Sequence, residues 1–153
     1  MRDQQIKIAF SPGVECRNLI IELIESATQS LDICVFTISD DQISRAILRA
    51  MNKGTQIRII TDNDKAADQG SDIQTLYDEG IEVKTDQSEF HMHHKFLIAD
   101  GETVLTGSYN WTRNAAEYNE ENIICITSTE VAVRFQKEFD VLWEKSVDLM
   151  SYE

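Results

Sequence analysis

The sequence predicts one α/β domain spanning residues 1–153, with a mixed β-sheet flanked by helices on both faces. Strand-like and helix-like segments alternate along the chain, and no internal repeat or linker separates them. The composition is that of a globular protein, with 42% hydrophobic residues, 27% charged residues and one proline. We therefore expect a single compact core and no large disordered region.

The first part of the chain predicts three strands and two helices. The alternating segment from Ile6 to Phe10 predicts the first strand, and Ser11-Pro12 predicts the start of a helix with serine as its N-cap. The β-rich run from Leu31 to Ile38 predicts a central strand. Ser39-Asp40 predicts the cap of the second helix, and the run from Gln56 to Thr61 predicts the next strand.

Further along the chain, the sequence predicts a loop, a short helix and a short strand before a hairpin. The polar run from Asp62 to Asp72 predicts the loop, Ile73 to Glu79 the helix, and Ile81 to Lys84 the strand. Two strands, from His93 to Ala99 and from Thr103 to Thr106, predict the hairpin.

The turn of this hairpin is predicted at Asp100-Gly101, a dipeptide typical of tight β-turns. A last strand is predicted from Asn122 to Ile126, followed by a long helix. The apolar face of that helix is formed by Val131, Phe135, Phe139, Leu142 and Trp143.

The net charge of the chain is −13. Proteins that bind nucleic acid through many phosphate contacts are usually basic, so any such contact is expected from a local basic patch or from assembly. The helical stripe of Arg45, Arg49 and Lys53 is expected to be an ordinary solvated face. No apolar run reaches the ~18 residues that a membrane-spanning helix needs, so we expect no stable membrane insertion.

The three cysteines, Cys16, Cys34 and Cys125, form no Cys-x-x-Cys pair. Their odd number and wide spacing argue against a disulfide scaffold and against a structural zinc site. Cys34 and Cys125 lie in apolar runs, which predicts buried, inert thiols. The N-terminal segment lacks the apolar stretch of a secretory signal, and we expect a reducing, cytoplasmic location.

The chemistry is concentrated at the ends of two neighbouring predicted strands. Because side chains on a strand alternate between faces, His93 and Lys95 share one face, while His94 points to the other. Ser108 and Asn110 share a face at the end of the next strand. An imidazole, an ammonium, a hydroxyl and a carboxamide therefore converge, and these are groups that phosphate transfer requires.

This pattern resembles the phospholipase D superfamily, and most closely its small single-motif bacterial nucleases. The matching residues are His93, Lys95, Asp100, Gly107, Ser108, Asn110 and Glu121-Asn122. The runs Asp62 to Lys65 and Gly70 to Ile73 also resemble those nucleases, and the similarity extends from the first strand to the final helix.

The resemblance implies a phospholipase D-like single domain and a metal-independent phosphodiesterase without a cofactor. Two motifs form one active site in this superfamily, and this chain has one. We therefore expect a homodimer with the active site at its two-fold interface. The resemblance makes His93 the nucleophile in one subunit, where it forms a phosphohistidine, and the general acid in the other.

The resemblance also implies roles for the neighbouring residues. Lys95 and Asn110 bind the phosphate oxygens, and Ser108 positions the phosphate. Glu121 orients a histidine and fixes its tautomer. Arg113, just after the second part of the pattern, is the basic residue expected near the substrate.

Several residues leave two interpretations open at this stage. Asp100 is either a catalytic residue, or a turn carboxylate or the salt-bridge partner of a neighbouring lysine. His94 is expected to be a buried or interface residue without a catalytic role, and Trp111 to lie in the core or an interface. The pair His91-x-His93 is not expected to bind metal, because no further histidine or cysteine lies at metal-ligand spacing.

Three functions compete. The first is an endonuclease acting on DNA or RNA phosphodiesters. The second is a phospholipase D or cardiolipin hydrolase, which would use the same chemistry on a phospholipid. The third is a catalytically inactive binding module, which the complete set of site residues disfavours.

Overall fold

The computed structural model describes residues 5–152. Its strands are β1 (Gln5–Ser11), β2 (Ser30–Val35), β3 (Gln56–Thr61), β4 (Glu82–Thr85), β5 (Lys95–Ala99), β6 (Thr103–Gly107), β7 (Glu121–Thr127) and β8 (Val147–Asp148). Its α-helices are α1 (Glu15–Ser26), α2 (Asp41–Asn52), α3 (Asn63–Ala66), α4 (Ile73–Asp78), α5 (Arg113–Glu117) and α6 (Thr129–Lys145), and a 3-10 turn covers Leu149–Tyr152.

The described strands form one mixed sheet in the order β1-β7-β6-β5-β2-β3-β4-β8. The pairs β2–β3 and β3–β4 are parallel, and the other neighbours are antiparallel. The larger core lies between one face of the sheet and α1, α2 and α4, and includes Ile20, Ile47 and Leu97. The smaller core lies under α6 on the other face and includes Phe96 and Phe139. The predicted fold class, with helices on both faces, is confirmed.

The start of the first helix was predicted wrongly. The helix begins at Glu15, whereas Ser11 is the last residue of β1 and pairs there with Glu121. The Ser11 hydroxyl donates to the carbonyl of Asn119 and accepts the N–H of Glu121. A local capping signal was therefore overridden by long-range hydrogen bonds. By contrast, the predicted cap of the second helix is confirmed, because the Asp40 carboxylate accepts the N–H of Gln42.

Three further places differ from the sequence-based prediction by more than one residue. The strand predicted to begin at His93 begins at Lys95, so His93 and His94 precede it. The central strand ends at Val35, three residues before its predicted end. The polar run from Asp62 to Asp72 contains α3, which Asp62 caps by accepting the N–H of Lys65. In the hairpin, Asp100 and Gly101 have positive φ angles of 55° and 65°, as expected for this turn.

Most of the predicted site residues lie along one edge of the sheet that is formed by the ends of its strands. β5 and β7 begin at this edge, and β6 ends there. Gly107 allows β6 to approach β7 closely at this edge, since a Cβ on it would clash with the backbone carbonyl oxygen of Asn122. This contact explains why glycine precedes Ser108 in the pattern.

Other sequence-based expectations concern burial. Cys16, Cys34 and Cys125 are free and buried, and burial raises the pKa of Cys16 to about 11, so it is not a reactive thiolate at neutral pH. Trp111 is fully buried in the larger core, as predicted. Among the helices of residues 5–152, none has the length and apolar character needed to cross a membrane.

Candidate active site

The centre of the candidate site is the contact between Lys95 and His93. The Lys95 ammonium donates to the backbone carbonyl of His93 at 2.8 Å and lies 3.2 Å from Nδ1 of the His93 ring. Lys95 is buried, whereas His93 lies exposed just before β5. Because a charged lysine has only donors, Nδ1 accepts, and the proton of a neutral ring is then on Nε2.

Although His93 is exposed as a whole, partial desolvation of its ring lowers its pKa below the usual value, and the charge of Lys95 lowers it further. The imidazole is therefore predominantly neutral at pH 7. Burial also lowers the pKa of Lys95, while the negative charge of Glu121 acts in the opposite direction. Glu121 is thus linked electrostatically to the lysine that contacts the histidine.

Phe36, which follows β2, lies next to both His93 and Lys95. Its ring centroid is 4.6 Å from that of His93 and 5.3 Å from that of His91. The ammonium groups of Lys65 and Lys95 lie 5.5 Å and 5.4 Å from the same centroid, within the range of cation–π attraction. Sequence reasoning missed Phe36, because nothing in the motif marks an aromatic residue that reaches the site from another strand.

A cleft of about 500 Å³ opens beside Phe36. Asn110, Lys65 and Arg113 line it. Among the described residues, the Asn110 side-chain oxygen is buried and has no hydrogen-bond partner. The guanidinium of Arg113 borders the cleft and is paired at 2.7 Å with Asp41, and its contact with the substrate stays a prediction. Lys65 is likewise paired with Asp68, at 3.1 Å. The cleft therefore contains an unsatisfied carboxamide and two cations that are each paired with an aspartate, and the Phe36 ring lies between it and His93.

Ser108 and Glu121 lie at the same edge of the sheet. Ser108 exchanges hydrogen bonds with Asn122, donating its N–H at 3.0 Å and accepting the Asn122 N–H on its hydroxyl at 3.2 Å. In the part of the chain that the structure describes, the Glu121 carboxylate makes no hydrogen bond to His93. The predicted role of Glu121 in orienting a histidine stays a prediction, and the interaction present within one chain is its electrostatic effect on Lys95.

Asp100 does not belong to this cluster, which corrects its place among the predicted catalytic residues. It follows the end of β5, whereas His93 precedes the start, and the five residues of that strand span roughly 16 Å. Its carboxylate accepts the backbone N–H groups of Thr28, Gln29 and Ser30 at 2.8–3.2 Å. Asp100 therefore ties the hairpin turn to the loop before β2, a version of the turn-carboxylate interpretation.

His94 points away from His93, as the alternation predicted. Its ring packs on Phe96 at 5.5 Å on the α6 side of the sheet, and it is exposed rather than buried. On the outer face of α2, Arg45 and Lys53 are exposed and Arg49 pairs with Glu25, so this stripe is a solvated face.

Asp62, Asp64 and His91 form the one group within residues 5–152 whose side chains could hold a metal ion, with ligand atoms within 4.8 Å of one another. Spacing alone did not predict this group, because Asp62 and His91 meet only through the fold. The buried Asp62 carboxylate already accepts the N–H of Met92 and lies 3.3 Å from Nδ1 of His91. These contacts fix the segment that leads into His93.

Comparison with known proteins decides the family. A family profile described as cardiolipin synthase, PLD-like domain, matches residues 20–143 of the chain. The chain belongs to the PLD-like domain family. The expectation that the chain belongs to the phospholipase D superfamily is confirmed at that level.

Curated relatives of this PLD-like domain include mitochondrial cardiolipin hydrolases. That of Chlamydomonas reinhardtii is 48% identical over 124 residues, which cover 81% of this chain and 56% of that protein. That of Homo sapiens is 37% identical over 133 residues, covering 87% and 53%. A phospholipase D of Rickettsia bellii is 31% identical over 128 residues, covering 84% and 64%. The PLD-like domain thus spans between half and two thirds of these relatives.

Solved structures of similar fold include two bacterial proteins of about the same length. Nuc from Salmonella typhimurium, a phospholipase D family member, matches with a TM-score of 0.88 and 26% identity, over 95% of this chain and 98% of that one. NucT from Helicobacter pylori matches with a TM-score of 0.83 and 25% identity, over 95% and 99%. The fold of the PLD-like domain is therefore close to both.

Proposed function

We propose that this PLD-like domain is a metal-independent phosphodiesterase that cleaves phospholipid phosphodiesters of the cardiolipin type, with His93 as the covalent catalyst. The observation that carries the proposal is the neutral imidazole of His93, held by Lys95 beside a cleft that contains Asn110 and Arg113. A neutral imidazole is a nucleophile, and the surrounding cations and amide stabilise the charge that develops on the phosphate oxygens.

The reaction proceeds in two displacements. In the first, the ring nitrogen of His93 attacks phosphorus, the bond from phosphorus to the leaving oxygen breaks, and a second imidazolium donates its proton to that oxygen. In the second, water attacks the phosphohistidine, the phosphorus–nitrogen bond breaks, and the neutral second imidazole accepts the proton from water. The products are an alcohol and a phosphomonoester, and both histidines return to their initial states.

The second imidazole comes from a partner subunit. Within one chain, His94 faces the other side of the sheet and the His91 ring lies 6.4 Å from that of His93, next to Asp62. Neither is placed as a mobile proton donor opposite His93. A homodimer sets two His93 rings at one site, where repulsion between like charges favours one protonated and one neutral ring.

This proposal puts a phospholipid substrate before nucleic acid, whereas the sequence-based expectation put nucleic acid first. The relatives with up to 48% identity are named cardiolipin hydrolases, and this supports a phospholipid substrate better than a nucleic acid. A nuclease is the second candidate. It is favoured by the TM-score of 0.88 with Nuc, whose whole chain corresponds to this one.

The test is hydrolysis in the presence of a chelator by the wild type and by His93→Asn. Substrates are cardiolipin in mixed micelles, single-stranded DNA, duplex DNA and RNA. Release of phosphatidic acid from cardiolipin by the wild type alone is the expected result. Cleavage of nucleic acid alone would select the second candidate, and activity that disappears with the chelator would contradict the metal-independent mechanism. Inactivity on all four would favour a binding module.

A further inference from the structure

The cleft beside Phe36 is larger than a single phosphate group requires. Its volume of about 500 Å³ lies within the range of pockets that hold whole small molecules, roughly 300–1,000 Å³. It is lined by the segments that follow β2, β3 and β6, and each of these strands ends at the edge of the sheet where His93 lies. The cleft can therefore accept a part of the substrate beyond the phosphate that His93 attacks.

Two runs of the sequence pattern form one wall of this cleft, although the proposed reaction assigns them no role. Residues 62–65 and residues 70–73 resemble the small nucleases. The structure places Lys65 of the first run and Ser71 of the second on the cleft. The pattern that marks the reacting histidine therefore marks the wall of the cleft as well.

Hydrogen bonds from the fold hold this wall in place. Asp62 caps α3 by accepting the N–H of Lys65 at 3.2 Å. The N–H of Asp72 donates to the carbonyl of Ile38 at 2.9 Å, and its carboxylate accepts the hydroxyl of Ser44 at 2.7 Å. The wall is therefore pre-organised, which reduces the entropy that is lost when a ligand binds.

The charged residues that line the cleft favour an anion. Lys65 and Arg113 outnumber Asp68, the one acidic residue among the described residues of the lining, in a chain whose net charge is −13. Lys65 pairs with Asp68 and Arg113 pairs with Asp41, but all four side chains are at least 36% exposed. Because exposed ion pairs are weak, an incoming phosphate can replace either aspartate.

An uncharged group at the cleft favours a hydroxyl. Among residues 5–152, the side-chain oxygen of Asn110 is buried at the cleft without a hydrogen-bond partner. This oxygen is an acceptor, whereas an ionised phosphodiester has no proton to donate. A hydroxyl group next to a phosphate would satisfy it.

The Lys65 ammonium lies within reach of a substrate that is bound at His93. It is 5.5 Å from the centre of the Phe36 ring, and the centre of the His93 ring is 4.6 Å from the same point. The two groups are therefore no further apart than the sum of these distances. A headgroup in which one glycerol joins two phosphates can bridge this separation, because each phosphate extends beyond the glycerol toward its own partner.

We propose that the cleft beside Phe36 is a subsite for the second phosphate of a phospholipid whose headgroup glycerol joins two phosphodiesters, with Lys65 and Arg113 as its cations. The glycerol hydroxyl donates to the side-chain oxygen of Asn110 while His93 faces the other phosphate. The inference rests on the proposed function for the phosphate at His93. It adds a selection, because the same cations repel the ammonium of a choline headgroup.

The experiment measures binding to the His93→Asn variant by calorimetry, so that no turnover takes place. The probes are deacylated cardiolipin, which has two phosphodiesters, and deacylated phosphatidylglycerol, which has one. We expect the first probe to bind about tenfold more tightly, the contribution of one charge-assisted hydrogen bond. Adding Lys65→Gln should remove this preference, apart from the small statistical advantage of two phosphates. Lys53→Gln, which removes an exposed lysine at the end of α2, is the matched control and should keep it.

Arg113→Gln removes the other cation and provides a second test should Lys65→Gln lower the thermal midpoint. Equal affinity for the two probes, or a preference that survives both substitutions, would overturn the proposal. A trinucleotide with two phosphodiesters is the third probe. If it bound in a Lys65-dependent way and deacylated cardiolipin did not, the lipid assignment would be wrong and the subsite would belong to a nucleic acid.

Binding is measured without hydrolysis, so this proposal and the proposed function can fail separately. A wild type that hydrolyses no substrate, with a Lys65-dependent preference in the His93→Asn variant, would contradict the proposed function and leave the subsite standing. An active wild type without that preference would contradict the subsite alone.

Discussion

The ammonium of Lys95 lies 3.2 Å from Nδ1 of His93, and this contact sets the tautomer of the imidazole. With Nδ1 as an acceptor, the proton of the neutral ring is on Nε2. Attack on phosphorus by Nε2 requires that proton to move to Nδ1, and a carboxylate beside Nδ1 would hold it there. This is the role predicted for Glu121, and the copy of His93 that acts as acid is instead the protonated imidazolium.

Replacing His93 by asparagine is expected to reduce hydrolysis by at least ~1,000-fold, because it removes both the nucleophile and the proton donor. His94→Asn is the matched control, since His94 packs on Phe96 on the other side of the sheet. Single-turnover rates and thermal midpoints of both variants check this. Comparable losses of hydrolytic rate in the two variants would mean that substitutions in this segment act by disturbing its structure.

Removing the charge of Lys95 is expected to raise the pKa of His93. Desolvation is the larger cause of the lowered pKa and remains in Lys95→Gln, so the pKa of His93 should rise and stay below the ordinary value. NMR titration of the His93 ring protons measures this directly in wild type and variant. An unchanged pKa, with a folded variant, would show that the two groups do not interact in solution.

Asp100 is expected to contribute to stability and not to turnover. Asp100→Ala should lower the free energy of unfolding by about 2 kcal/mol, because it removes an acceptor for three backbone N–H groups and places alanine at positive φ. Asp100→Asn keeps an acceptor oxygen and tolerates positive φ, so its loss should be smaller. Denaturant unfolding measures both, and a normal kcat in both variants would exclude a catalytic role.

The contribution of Asp100 to the free energy of unfolding is expected to change with pH in one direction. Hydrogen bonds from the backbone of Ser30, Gln29 and Thr28 outweigh burial and lower the pKa of Asp100 below 3.8. The folded chain therefore binds this proton more weakly than the unfolded chain, and the stabilisation is fully present above the unfolded pKa. The difference in stability between wild type and Asp100→Ala should shrink as the pH falls through the folded pKa.

Phe36 is expected to position the His93 ring. Phe36→Leu should lower kcat about tenfold with little change in KM, because the 4.6 Å ring contact is lost while the cations of the cleft remain. The His93 ring protons should also shift in the NMR spectrum as the ring current disappears. Phe139→Leu, which removes a buried ring of α6, is the control for a general loss of packing.

Local patterns predicted most of the fold. Alternation located β1, turn chemistry located the hairpin at Asp100-Gly101, and the cap at Asp40 located α2. The first helix was placed too early because the hydroxyl of Ser11 hydrogen-bonds to Asn119 and Glu121, more than a hundred residues away. Such contacts leave no trace in the neighbouring sequence.

The candidate site was predicted where it depends on strand alternation and missed where it depends on tertiary structure. His93 and Lys95 share a face, as expected from their spacing. Phe36 and Asp62 reach the same region from other strands and could not be assigned from one sequence. Asp100 matches the sequence pattern, but the extended strand between it and His93 separates the two ends of that pattern.

The most direct test of a shared site is the activity of a mixed dimer, in which one chain is wild type and the other carries His93→Asn. Two different affinity tags on the chains allow its isolation, and a mixed dimer with His94→Asn serves as the control. If both His93 rings act in one site, the first dimer should be no more active than the His93→Asn homodimer, while the control keeps wild-type activity. Half of the wild-type activity in the His93→Asn mixed dimer would contradict the account, because each chain would then work on its own.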